Sequence, residues 1–287
     1  LTNVVMRHRH TLFARLMHRG RLFMAALLLA SMAAAGCGTT VPTLEPERVT
    51  LAASSSALPL ASDLARAYHA AFPHIAVDVL PLANEAAAAQ AVLAGRADAA
   101  LSTDPVPSTD SLTTTHVATD ALAIVVHPDR PLDNLTAQQI QEIFSGRVRT
   151  WDELGAGTGD IAVVLREEGA APRQALVAAF LGARQLTPTA IVLPDDRQIL
   201  AQVAGNRQAI AALPAGWLNE QARAVAIDGR GPDWVARQWP GYPAELPIHL
   251  LTLPVAAPES AALRDWLLSP RGQRVVSQRY APVTDPP

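Results

Sequence analysis

From about residue 48 onward, short apolar runs alternate with segments in which apolar residues recur every three to four positions. Val49–Ala53 reads as a strand. Leu58–Phe72 has helical periodicity, with Leu60, Leu64, Ala67, Tyr68 and Ala71 on one face and Pro59 near its start. Ile75–Leu80 alternates as a strand does. Asn84–Gly95 predicts a helix that Asn84 caps and Gly95 ends. Strands follow at Asp98–Leu101 and Ala121–Val126, and Thr136 caps a helix reaching about Phe144. Further on, the pattern predicts strands at Ile161–Leu165, Ile191–Leu193, Ala209–Leu213 and Ile248–Leu253. Helices fall at Arg173–Phe180, Gln198–Ala204, Ser260–Leu268 and Pro270–Arg279. Strands that alternate with helices imply an α/β protein with largely parallel sheets. There is no repeat of the solenoid kind.

The first 47 residues follow a different pattern. Arg7, Arg9, Arg15, Arg19 and Arg21 occur with no acid among them, and a 15-residue apolar run, Leu22 to Gly36, comes next. A basic start, a short apolar stretch and small residues before a break read as a secretory signal over 1–36. The run falls short of the roughly 20 residues that span a bilayer. Cys37, the only cysteine, follows Ala34, Ala35 and Gly36. That position resembles the lipobox of bacterial lipoproteins, which implies lipidation of Cys37 and an anchor on the extracytoplasmic face of the cell membrane. Residues 37–47 are rich in turn formers and read as a tether.

Charge narrows the function classes. The chain contains no Lys, and beyond Cys37 it has 18 Arg against 26 acids, a net −8. An acidic domain argues against nucleic-acid binding, which needs a basic footprint. The histidines after Cys37 (His69, His74, His116, His127, His249) have no metal-site spacing, so neither a metal nor a cofactor is expected. No GxSxG, P-loop or GxGxxG is present, and the chain reads as a non-enzyme. The tryptophans at 151, 217, 234, 239 and 266 read as packing residues.

Several motifs then fall in register. Leu135-Thr136, Ile143-Phe144-Ser145-Gly146 and Trp151-Asp152-Glu153-Leu154-Gly155 form one segment. Ile161 to Gly169, Ser54 to Leu60, Ala94 to Asp98 and Trp266 to Gln273 supply the others. Together they resemble the phosphate-binding (PstS-type) receptors of ABC importers. The resemblance implies a two-lobed periplasmic-binding-protein-like (type 2) fold. Lobe one would hold 48–122 and 247–287, lobe two 123–246, and two crossover strands would join them. A monomer would then bind phosphate or another small anion in the cleft and deliver it to an ABC permease. A binding-fold lipoprotein with an organic acid as ligand, or with a sensing role, is the alternative.

The site residues follow from the same resemblance. The Ser54, Ser55, Ser56 loop and the N–H groups of Ala57 and Leu58 would face the ligand, although Ser56 would serve equally as a helix cap. Ser102, Thr103 and Asp104 form the next loop, where Asp104 would either accept a proton from a protonated oxyanion or stabilise a turn before Pro105. Arg166 would be a fixed bidentate donor, or else pair with Glu167 or Glu168. Two places depart from the family pattern. Ala170, Ala171 and Pro172 stand where the family has Ser-Gly-Thr, and Asn84-Glu85 stands where it has Gly-Ser. Two hydroxyls and an amide are lost, and Glu85 adds an acid. Arg173 would reach into that gap. Arg166, Arg173 and Glu85 together would suit an organic acid or a ligand carrying both charges.

Overall fold

The computed structural model describes residues 47–103, 111–231 and 243–283. The signal, the tether through Pro46, Cys37, Asp104, Trp234 and Trp239 lie outside these residues, whereas Glu47, expected to end the tether, already lies in a strand.

The chain runs β1 (Glu47–Ser54), a 3₁₀ turn (Ser55–Ala57), α1 (Leu58–Ala71), β2 (Ile75–Leu82), α2 (Glu85–Leu93) and β3 (Ala99–Ser102). Next come β4 (Thr113–Val126), β5 (Asn134–Leu135), α3 (Ala137–Phe144), β6 (Ala162–Arg166) and α4 (Ala171–Leu176), which continues as a π turn at Val177–Leu181. Then follow β7 (Ile191–Leu193), α5 (Asp196–Gly205), β8 (Ala209–Pro214), β9 (Arg223–Ala224) and β10 (Ala226–Ile227). The last elements are β11 (Glu245–Thr252), α6 (Pro258–Leu268), α7 (Pro270–Val276) and β12 (Ala281–Pro282).

The main sheet has the order β2-β1-β3-β11-β4-β8-β6-β7, and β5 pairs separately with β10. The sheet is mixed rather than largely parallel. β1, β2 and β3 run parallel, as do β6, β7 and β8, but every pairing of β4 and of β11 is antiparallel. Strand β4 joins the two halves. Its residues up to Ala121 pair with β11, and Leu122 onward pair with β8.

Both faces of each half are covered by helices. Alternate residues of one strand therefore enter different cores. On β1, Val49 and Leu51 pack with Leu60, Leu64 and Trp266, whereas Ala52 packs with Ala88 and Val92. On β4, Ile124 and Val126 pack with Ile140, Phe144 and Trp151, whereas Val125 packs with Ile199 and Val203. The result is the two-lobed α/β architecture expected from the sequence. β4 begins earlier than its apolar run, because β11 pairs with Thr113, Thr114, Thr115 and His116, which are polar where the strand is partly covered or exposed.

The helix starts follow local chemistry. Asn84 accepts a hydrogen bond from the Ala87 N–H, and Thr136 and Gln139 form a reciprocal capping box. Gly95, at φ +65°, ends α2 in the left-handed conformation that glycine favours. α4 starts at Ala171, two residues before the periodic run, because Pro172 is tolerated in a first turn where N–H groups have no intrahelical partner.

Candidate functional site

The carboxyl ends of β1, β3 and β6 bring Ser54, Ser102 and Arg166 into buried positions. This is where open α/β sheets hold ligands. The β7–α5 connection adds a residue absent from the expected set, Asp196. It is fully buried at the first position of α5.

One Asp196 oxygen is the centre of the site. Asp196 Oδ2 accepts from Arg166 Nη1 at 2.5 Å, from Ser55 Oγ at 2.9 Å and from Ser56 Oγ at 3.0 Å. The Asp196 N–H also donates to Ser55 Oγ at 2.9 Å, so Ser55 holds both the side chain and the backbone of Asp196. The guanidinium spreads further. Arg166 Nη2 donates to the carbonyls of Ala83 and Pro194, both at 3.0 Å, and meets Glu167 Oε1 at 3.4 Å. Arg166 is thus a fixed fork that links the β2–α2 connection to the β7–α5 connection. Glu168, the other acid weighed as its partner, does not bond it.

Glu85 is buried beside this cluster, and Thr103 Oγ1 donates to its Oε1 at 2.8 Å. Burial raises the Glu85 carboxyl above its ordinary value, and the Thr103 bond works against that rise. Burial likewise pushes the Asp196 carboxyl up, while Arg166, Ser55 and Ser56 pull it down. Asp196 Oδ1, Glu85 Oε2, Arg166 Nε and Ser54 Oγ are buried without a hydrogen-bond partner among the described residues.

The remaining expected residues divide. Ala57 is buried behind the serine loop, but the Leu58 N–H bonds the Ser55 carbonyl and is not free for a ligand. Ser102 is buried at the end of β3. Arg173 does not enter the gap beside Ala170–Pro172. Its Nη1 donates to the Arg166 carbonyl at 3.0 Å and so supports the backbone from behind. Trp217 is more than a packing residue: its indole N–H donates to the Ser55 carbonyl at 2.9 Å. In the sequence, the doublet Asp195-Asp196 at a helix start was the signal for Asp196. Only one of two adjacent acids is needed as a cap, and here Asp195 caps while Asp196 turns inward.

An open cleft of about 480 Å³ adjoins the cluster, lined by Ser55, Leu58, Ala83, Asp195, Arg197 and Trp217. A larger groove of about 700 Å³ beside Asn219, Arg223 and Arg279 lacks a comparable convergence of buried donors on one point. Among the described residues, no cluster of His, Cys, Asp and Glu is suited to a metal ion, and no helix is long and apolar enough to cross a membrane.

Comparison with known proteins agrees with this architecture. A PBP superfamily domain matches residues 40–267. The chain belongs to the PBP superfamily. Among its curated relatives is the phosphate-binding protein PstS of Bacillus subtilis, 28% identical over 176 residues, which cover 59% of this chain and 57% of that protein. The chain therefore matches little more than half the length of that relative. Among solved structures, a phosphate ABC transporter substrate-binding protein from Clostridium perfringens, with phosphate bound, has a TM-score of 0.75 at 23% identity. That match covers 83% of this chain and 100% of the other. An ABC-type phosphate transport receptor from Vibrio cholerae has a TM-score of 0.62 at 24% identity, with the same coverage. These structures share the fold of this chain, and the PstS-type resemblance seen in the motifs recurs in the curated relatives.

Proposed function

We propose that this chain is an extracytoplasmic solute receptor that takes phosphate or a related oxyanion between its lobes and passes it to an ABC permease. Cys37 carries the lipid that holds it at the membrane. Capture involves no covalent step. One observation carries the reading: the Arg166 guanidinium and the Ser55 and Ser56 hydroxyls converge on a single acidic oxygen, at 2.5, 2.9 and 3.0 Å. Two hydroxyls and a fixed guanidinium around one point are the donor set an oxyanion oxygen requires.

A second reading rests on the identity of that oxygen. It belongs to a carboxylate, so a small organic acid would satisfy the same donors. Calorimetric titration of the purified protein with phosphate, sulfate and a set of short carboxylates separates the two. Heat with phosphate and none with sulfate supports the first reading. Heat with a carboxylate alone supports the second. A folded protein that binds none of them ends the oxyanion reading.

A further inference from the structure

The carboxylate at the meeting point of the donors belongs to the protein itself. We propose that Asp196 is a tethered competitor, whose side chain holds the oxyanion position and sets how tightly an external anion can bind. This inference rests on the oxyanion reading above.

Asp196 is not required as a helix cap. Asp195 does that work, accepting from the Gln198 N–H and from Gln198 Nε2, both at 2.8 Å. Asp196 is nevertheless fully buried, and burying a carboxylate is costly unless strong donors surround it. The donors it collects are the ones expected for the ligand: Arg166 from β6 and Ser55 and Ser56 from the β1–α1 loop. The substitution is also incomplete. One Asp196 oxygen receives three bonds, while among the described residues its other oxygen accepts none and Arg166 Nε donates none. A planar carboxylate fixed to a helix cannot present acceptors in the several directions that a free tetrahedral anion can. An incoming anion must therefore displace Asp196 and break three hydrogen bonds to its carboxylate, one from a guanidinium and two from serine hydroxyls, before it gains its own. It must also tolerate the carboxylate it has displaced.

The test compares the parent protein with Asp196→Asn and Asp196→Ala by calorimetric titration with phosphate, each shown to be folded by circular dichroism. Removing the competing charge should tighten phosphate binding about 10- to 100-fold, the affinity equivalent of one or two bonds of this class. Equal or weaker binding by both variants, with binding by the parent, overturns the inference and leaves the oxyanion reading standing. If parent and variants all stay folded and bind neither phosphate, sulfate nor carboxylates, the oxyanion reading fails and the inference with it. Should a variant misfold because Arg166 has lost its partner, millimolar phosphate present during refolding should restore it. Failure of that rescue in both variants also overturns the inference.

Discussion

Two loops at the carboxyl ends of strands meet at this site, and they have diverged in opposite ways. The β1–α1 loop keeps a run of hydroxyls. Ser55 and Ser56 both point inward and both bond a carboxylate. The β6–α4 loop keeps its arginine but has Ala170, Ala171 and Pro172 where the phosphate-receptor pattern has hydroxyls and an amide. Those three residues are buried, and Ala170 makes no side-chain cap to α4. An arginine left buried without an acceptor would be severely destabilising. Here a third connection, β7–α5, supplies the acceptor as Asp196. On the oxyanion reading proposed above, the difference means that a site can lack part of its donor set and keep its geometry, provided a carboxylate from the chain balances the arginine that remains.

The largest effect should come from breaking that balance. Arg166→Ala leaves Asp196 as an uncompensated buried charge, and stability should fall by roughly 3–5 kcal/mol. Urea denaturation measures it, and a loss within about 0.5 kcal/mol, as for an ordinary surface change, would mean Arg166 is not what holds Asp196.

Acid–base behaviour sharpens the same comparison. Asp120 is fully buried where β4 changes partners, with its oxygens on the N–H groups of Ala121 at 2.8 Å and Gly216 at 3.0 Å. Burial pushes its carboxyl up to about 7, with a further rise from Asp196. The folded state therefore holds this proton to higher pH than the unfolded chain, whose aspartates titrate near about 4. Its contribution is fully present below about pH 4 and is lost as pH rises toward about 7. Glu85 and Asp196, both raised, act in the same direction. Stability should drop by about 4 kcal/mol across that window from Asp120 alone, and Asp120→Asn should flatten the curve. A pH-independent melting temperature between these limits would contradict the assignment.

Within the serine loop the two hydroxyls are unequal. Ser55 bonds both the carboxylate and the backbone of Asp196, whereas Ser56 bonds the carboxylate alone. Ser55→Ala should cost about 2–3 kcal/mol and Ser56→Ala about 1–2 kcal/mol, read from the same denaturation curves. Reversal of that order would show that the bond to the Asp196 N–H is unimportant. The smallest effect lies in the other loop. Ala170→Ser would supply the missing cap of α4 and should stabilise by about 0.5–1 kcal/mol. A loss of stability instead would mean that the packing around Ala170 has no room for a hydroxyl.

Much of this protein is local in origin. Asn84 and Thr136 start helices through their own side chains, Gly95 stops one through its φ, and period-2 and period-3.6 patterns place most strands and helices within a few residues. These features depend on neighbours in the chain, so the sequence by itself determined them, together with the α/β class and the resemblance to a binding fold. Other features depend on residues far apart. The first half of β4 is polar and is a strand because β11 pairs with it, which also makes the sheet mixed. Whether Arg166 faced a ligand or an acid rested on a residue 30 positions away, and the serine loop on one about 140 away. The choice between Asp195 and Asp196 as cap or buried partner was likewise made by packing, since adjacent acids at a helix start are equivalent until one side is covered. Local propensity acts over one turn or one pleat. The cost of burying a charge is decided only when the tertiary structure has removed the water and brought the donors together.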